Sequence, residues 1–394
     1  MKLFVINSLC LTLAFATSGL GAEASRSTKP DISITRPYDS MGFLQPIPVT
    51  ISGFTGEADS ILRNDLVFMG FKFVGPTEAR FLITGNNAGR LEGRVIDQGT
   101  KAQVLGRAYS NGTLRQQVHA FADEVATNLT GLPGIAQTKI VYKAEAGLGR
   151  SELYIADFDG YGPVAATRDG SIVASPCWLG RGSIVYCSYK LGNPYIFSQD
   201  LSTGTRRTVS RQPGDNYSPA VTRDGRRVAM ILNKNGSPDL YVANIDGTGL
   251  TQLTKTREAE SSPCWSPDNR TICFVSREGG PGGIYTIPAS GGTRRRVSTG
   301  VGVCTEPDWS PDGRWIAYTV QRGAFEICIV PAQGGAVYTV VQGEDPSWAP
   351  NSRALIFCVG PDHGKRLSLL DVPTKQVKTL ARVLESNSQP SWAK

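Results

Sequence analysis

Only two histidines occur in the 394 residues, which narrows the acid–base chemistry open to this chain. His119 falls in a helical stretch with Asp123 one turn on, and His363 sits in the turn sequence Pro361-Asp362-His363-Gly364. A catalytic histidine needs a nucleophile and a pocket beside it. Neither is visible near His119, which reads as a helix-surface residue. The chain has no G-x-S-x-G elbow, no P-loop and no H-E-x-x-H. Asp157-Phe158-Asp159-Gly160 begins like a calcium loop but lacks the later ligands, including the glutamate at the twelfth position. A plain Asp/Gly turn is the expectation. The residues therefore point to a protein that is not an enzyme and takes no metal and no cofactor.

Cysteine offers the other reactive chemistry. Cys10 lies in the apolar N-terminal run, and Cys177, Cys187, Cys264, Cys273, Cys304, Cys328 and Cys358 fall in or beside predicted strands. An odd number cannot all pair within one chain. They read either as small buried hydrophobes or, for Cys177–Cys187 and Cys264–Cys273, as bonds across neighbouring strands in an oxidising compartment.

That compartment is suggested by the first residues. Lys2 precedes the mostly apolar Leu3 to Ala16, and small residues follow, with cleavage expected after Ala24 or Ala22. Nothing later approaches the apolar run of about 18 residues that a membrane helix needs, so no transmembrane segment is expected in the mature chain. The net charge is +7. The clusters Arg206-Arg207, Arg226-Arg227 and Arg294-Arg295-Arg296 fall at strand ends and turns, without the interleaved stacking aromatics of a nucleic-acid module. A solvated rim of charge is expected, and no nucleic-acid partner.

What organises the chain is a repeat. Pro176-Cys177-Trp178, Pro219-Ala220-Val221, Pro263-Cys264-Trp265, Pro307-Asp308-Trp309, Pro346-Ser347-Trp348 and Pro390-Ser391-Trp392 stand 43, 44, 44, 39 and 44 residues apart. A period of about 40–45 with several short strands per unit marks propeller blades. Each unit continues with a turn such as Ser266-Pro267-Asp268-Asn269 or Ser310-Pro311-Asp312-Gly313, then further strands. Lys139 to Arg168 holds three strands without a Pro-x-Trp before them, and the chain ends on Ser391-Trp392-Ala393-Lys394. The last strand should therefore complete the first of six blades and remove the open edges. The tryptophans are expected to pack between blades.

Before the repeat lies a different pattern. Ile47 to Ile51, Phe81 to Thr84, Leu91 to Ile96 and Gln103 to Tyr109 read as strands. Glu57 to Met69 and Thr113 to Leu129 carry helical apolar stripes, the latter opened by a Thr113/Gln116 capping box and stopped by Gly131. The expected fold is thus mainly β, a six-bladed β-propeller with a small N-terminal α/β domain. The divisions fall at 1–24 (signal peptide), 25–135 (α/β domain) and 136–394 (propeller). The segments before each Pro-x-Trp should line one channel mouth: Ser171 to Ser175, Gly214 to Ser218, Glu258 to Ser262, Val303 to Glu306, Gly343 to Asp345 and Glu385 to Gln389. They are polar and often acidic, a composition suited to a hydrogen-bonding socket.

Ser262-Pro263-Cys264-Trp265-Ser266-Pro267-Asp268 resembles the repeat of the TolB family of the bacterial Tol–Pal envelope system. Phe121-Ala122-Asp123-Glu124-Val125 through Tyr142, Asp157-Phe158-Asp159-Gly160-Tyr161, and Pro46-Ile47-Pro48-Val49 extend the resemblance over essentially the whole mature chain. The resemblance implies a periplasmic adaptor without catalysis. It would support outer-membrane integrity, constriction at cell division and protein import. One propeller mouth would hold the peptidoglycan-associated lipoprotein Pal, and TolA and other envelope proteins are further possible partners. By position, the Pal-facing residues carry over to Asp215, Asn216, Ser218 and Ser261. Glu306, Glu344 and Asp345 join them at the same mouth, and a switch segment carries over to Asp31, Ile32, Ser33 and Ile34. Val221 stands where the second repeat would have tryptophan. Two other readings compete: a propeller holding an envelope glycan or small ligand in its channel, and a hydrolase gated by a propeller. The chain offers no triad for the last.

Overall fold

The computed structural model describes residues 37–394 except 148, 235, 279 and 298–301. The signal-peptide, Cys10 and switch-segment expectations lie outside the described residues.

The strands β1 (Ile47–Ser52), β2 (Phe71–Phe73), β3 (Phe81–Asn86), β4 (Leu91–Asp97) and β5 (Gln103–Tyr109) form one sheet in the order β2-β1-β3-β4-β5. β1 runs parallel to β2 and β3, and the rest pair antiparallel. β2 is the strand that periodicity misses. Three residues are too few to show a period, and the pairing Ile47↔Phe71 recruits them. Alternation puts Ile47, Val49, Ile51, Phe81, Ile83, Leu91 and Val95 inside. There they meet α1 (Glu57–Val67) and α2 (Leu114–Thr130). Both halves of the capping box form at Thr113, and Gly131 ends α2 at φ 72°. Gly93 lets α2 approach the sheet, because a Cβ there would lie 2.4 Å from the Phe121 ring.

Six four-stranded antiparallel sheets follow. Strands buried between neighbouring blades read as continuous apolar runs, such as Thr271–Ser276 and Ala354–Val359. Several outermost strands shrink to two residues, Val164–Ala165, Thr251–Gln252 and Arg295–Arg296, leaving little free edge. Ser386–Trp392 pairs with Lys139–Glu145 in the register Ser386↔Glu145 and Trp392↔Ile140, so the chain's end closes the first blade as expected. The blades are numbered 1 to 6 from that closure.

All inner strands run the same way. One mouth of the channel is therefore built from the segments before Pro-x-Trp, and the other from the turns after it. The α/β domain sits on the second mouth. Arg115 Nη2 pairs with Asp159 at 2.6 Å, Asn351 donates to the Phe68 carbonyl at 3.0 Å, and Arg314 donates to the Gly42 carbonyl at 3.1 Å. Phe43 stacks on Trp315 at 5.5 Å. Arg353 is buried, forks onto Asp371 at 2.6 and 2.9 Å, and reaches the Leu44 carbonyl at 2.8 Å.

Candidate partner-binding site at the propeller channel

The residue before each repeat proline takes a conformation that side chains avoid. Ser175, Ser218, Ser262, Glu306, Asp345 and Gln389 have φ of 50°, 49°, 48°, 53°, 55° and 50°. Left-handed backbone costs a non-glycine residue about 1–2 kcal/mol. The inner-strand pairing shifts register at this point, for example between Ser261 and Cys264 and between Thr305 and Asp308. Each blade thus carries a bulge that turns one residue toward the channel axis.

Long side chains stitch this ring from blade to blade. The Asp345 N–H donates to Glu306 Oε2 at 3.0 Å, the Gln389 N–H to Asp345 Oδ2 at 2.9 Å, and the Ser175 N–H to Gln389 Oε1 at 2.8 Å. In each pair the earlier blade supplies the side chain and the next supplies the amide. Serine occupies the remaining ring positions. Burial, and then the charge of Asp345, hold the Glu306 carboxyl well above the usual carboxylate range. The Thr319 hydroxyl also donates to Glu306 at 2.8 Å.

The expected site residues divide by role. Asp215 is exposed on the first mouth. Asn216 is fully buried: its Oδ1 accepts from the Ser210 hydroxyl and the Gln212 N–H, and its amide donates to the Gln212 and Gly214 carbonyls. It shapes the loop that carries Asp215. Ser218 and Ser261 are half-buried. Glu306 and Asp345 belong to the stitched ring, and Glu344 is buried in an ion pair with Lys365 at 2.7 Å.

Sequence reasoning missed Glu260, one residue before Ser261. It is buried, and Arg294 stands 3.5 Å away. Burial outweighs its hydrogen bonds with Ser276 and Thr256 and raises its pKa to about 7. The signal was present, since Glu260 lies in the segment Glu258 to Ser262 expected at the mouth, but its burial depends on the neighbouring sheet.

A cavity of about 360 Å³ runs from the ring toward the second mouth, lined by the ring residues, the repeat prolines and Trp178, Trp265, Trp309 and Trp392. Two indoles join adjacent blades: Trp178 donates to the Ser391 carbonyl and Trp265 to the Ala220 carbonyl, both at 2.9 Å. In each case the acceptor follows the proline of the preceding blade. The half-buried Val221 also lines the cavity. Among the described residues, no group of three or more His, Cys, Asp or Glu is arranged to hold a metal.

Several expectations change. His119 is not on a helix surface: it is 4% exposed, with Nδ1 2.6 Å from Asp65 Oδ2. Its ring meets Phe158 edge-on, because the face of α2 that looks like surface in isolation is covered by α1 and blade 1. Asp123 accepts from the Ala136 and Gln137 amides and braces the linker. The Asp157–Gly160 segment is a turn, with a Gly160 N–H to Asp157 carbonyl bond of 2.8 Å, and it also anchors Arg115. The arginine clusters are only partly a solvated rim. Arg206 lies over Tyr186 and Phe197, and Arg227 over Trp265. Cys177 faces Val185 and Cys187 faces Ala174, so of the two readings left open for this pair the cross-strand bond is not formed; a register shift separates the two. Cys264 does face Cys273, and both are free thiols here.

Comparison with known proteins fits this architecture. A family model described as the TolB beta propeller domain matches residues 126–394. The Tol-Pal system protein TolB of Desulfosudis oleivorans is 34% identical over 186 residues, covering 45% of this chain and 42% of that protein. The TolB homolog of Chlamydia muridarum is 33% identical over 135 residues, covering 32% of each. The chain thus spans less than half the length of these curated relatives. The crystal structure of TolB from Acinetobacter baumannii superposes with a TM-score of 0.79 at 22% identity, covering 92% of this chain and 98% of that one.

Proposed function

The chain belongs to the TolB β-propeller family, and from that premise we propose that it is an exported, non-catalytic adaptor of the Tol–Pal envelope system. Its first channel mouth holds the peptidoglycan-associated lipoprotein Pal, and TolA or other envelope proteins engage it elsewhere. The adaptor links inner-membrane Tol proteins to Pal and supports outer-membrane integrity, constriction and import. It works in the periplasm.

The observation that carries this reading is the ring of six left-handed, non-glycine residues, one per blade. Strain of this kind persists where the surroundings over-determine it, and it clusters at functional sites. Here it fixes the mouth that presents Asp215, Ser218 and Ser261 while Asn216 and Glu344 brace the loops. A pre-shaped mouth lowers the ordering cost of binding.

The test is calorimetric titration with the periplasmic domain of the same organism's Pal. One-to-one saturable binding is expected, weakened at least tenfold by Asp215→Lys and by Ser261→Arg. If both variants bind like wild type, the site is elsewhere; no binding at high micromolar Pal removes the Pal reading.

The 360 Å³ cavity supports a second reading, a small ligand or glycan in the channel. A saccharide that raises the melting temperature in proportion to its occupancy would favour it.

A further inference from the structure

Blade 4 places two thiols directly opposite each other. Cys264 lies on the inner strand Glu260–Trp265 and Cys273 on its neighbour Thr271–Ser276, paired in register with each other. Opposed antiparallel residues have Cα atoms about 4.5–5.5 Å apart, within the roughly 4.4–6.8 Å that a disulfide spans. Directly opposed residues share a sheet face, and both side chains pack in one cluster with Val275, Ile284 and Trp309. No other blade repeats the arrangement among the described cysteines: Cys177, at the equivalent repeat position in blade 2, faces Val185.

We propose that Cys264 and Cys273 are a modification site, closing into a disulfide that staples the inner strands of blade 4. The proposal rests on the export reading, because only an oxidising compartment keeps such a bond. The oxidant is a disulfide donor, protein or low-molecular-weight. One cysteine sulfur, as thiolate, attacks the donor, forming a mixed disulfide and releasing one donor thiol. The second cysteine attacks that mixed disulfide and releases the other. Two cysteine thiols are oxidised to one disulfide, the donor is reduced to two thiols, and the cysteine protons pass to the leaving sulfurs.

Timing follows from burial. Cys273 is fully buried and Cys264 is 8% exposed, and burial holds the Cys273 thiol well above its ordinary pKa. The exchange therefore belongs to folding, before the blade packs. Position gives it a consequence: Cys264 is two residues from the left-handed Ser262 and three from Ser261. The staple would fix the bulge that shapes the partner mouth.

Wild-type chain decides the matter without a variant. Thiols are trapped in acid-quenched cells with N-ethylmaleimide under denaturing conditions, and the purified chain is digested with trypsin. Cleavage after Arg257, Arg270 and Arg277 separates Cys264, in 258–270, from Cys273, in 271–277. The expected product is these two peptides joined, lighter by two hydrogens than their sum, and parted by reductant. A Cys177→Ser, Cys187→Ser protein should keep the link. Purified chain unfolded and refolded with oxidised glutathione should form the same bond. Both peptides carrying N-ethylmaleimide after cells and refolding alike, or Cys264 joined to any other cysteine, overturns the proposal. A link that forms on refolding but not in a chain that fractionates with the cytoplasm refutes export and leaves the pair standing.

Discussion

The Asp345 N–H donates to Glu306 Oε2 at 3.0 Å, joining blade 5 to blade 6 through a side chain on one ring residue and the backbone of the next. The same carboxylate oxygen accepts from the Thr319 hydroxyl. Glu306→Ala takes that acceptor from the Thr319 hydroxyl and leaves the Asp345 N–H only its second acceptor, Thr319 Oγ1 at 3.1 Å, a loss of about 1–3 kcal/mol. Glu306→Gln keeps an acceptor oxygen and should cost under about 1 kcal/mol. Urea denaturation of both variants checks the ranking; equal losses would mean that volume matters there and the hydrogen bonds do not.

Glu260 gives a pH dependence of definite sign. Its pKa is about 7 in the folded chain against an ordinary 4.5, raised chiefly by burial. As pH rises past 4.5 the unfolded chain ionises first, so stability contributed by the neutral acid is present in full below 4.5 and is lost up to about 7. Glu260→Gln should remove that loss, raising the melting temperature at pH 8 by about 2–4 °C per kcal/mol recovered and changing little at pH 4.5. An unchanged difference between the two pH values would show that Glu260 does not titrate in this window.

His119 and Asp65 form a pair buried between α1 and α2. Removing the imidazole leaves the buried Asp65 carboxyl without that hydrogen-bond partner, so His119→Ala should cost about 1–3 kcal/mol. Asp65→Asn, which retains a hydrogen-bond acceptor, should cost less. Thermal unfolding of the two variants gives the comparison, and a His119→Ala loss below about 0.5 kcal/mol would place the histidine back on the surface.

Arg115 clamps α2 onto the first-blade turn through Asp159, and it lies over the Tyr161 ring at 4.1 Å. Both partners are mostly buried, so a double-mutant cycle with Arg115→Ala and Asp159→Ala should give a coupling of about 1–2 kcal/mol. Limited proteolysis in the linker between residues 131 and 138 should be faster in either single variant. Wild-type cleavage rates in both would mean that the other interdomain contacts hold the domain unaided.

The ring strain is testable at Ser262, where φ is 48°. Glycine adopts this backbone freely but loses more entropy on folding, so Ser262→Gly should fall within about 0.5 kcal/mol of wild type. Ser262→Val, β-branched, should lose about 1–2 kcal/mol. Chemical denaturation that ranked valine at or above glycine would contradict the left-handed conformation.

Spacing along the chain determined the blades, because a repeated strand set needs neighbours of the same shape, and proline positions mark each start. It also gave the closure by Ser386–Trp392, since a first strand without followers and three strands without a leader complete each other. The capping box at Thr113 was legible because it is local. What the tertiary structure alone decided depends on contacts between segments distant in sequence. β2 exists because β1 pairs with it, and His119 is inside because Asp65, 54 residues away, meets it. A register shift parts Cys177 from Cys187, while Cys264 and Cys273 stay opposed. The stitched ring was invisible for the same reason: a left-handed serine carries no mark in its residue type, and Glu306, Asp345 and Gln389 meet only once six sheets close around one axis.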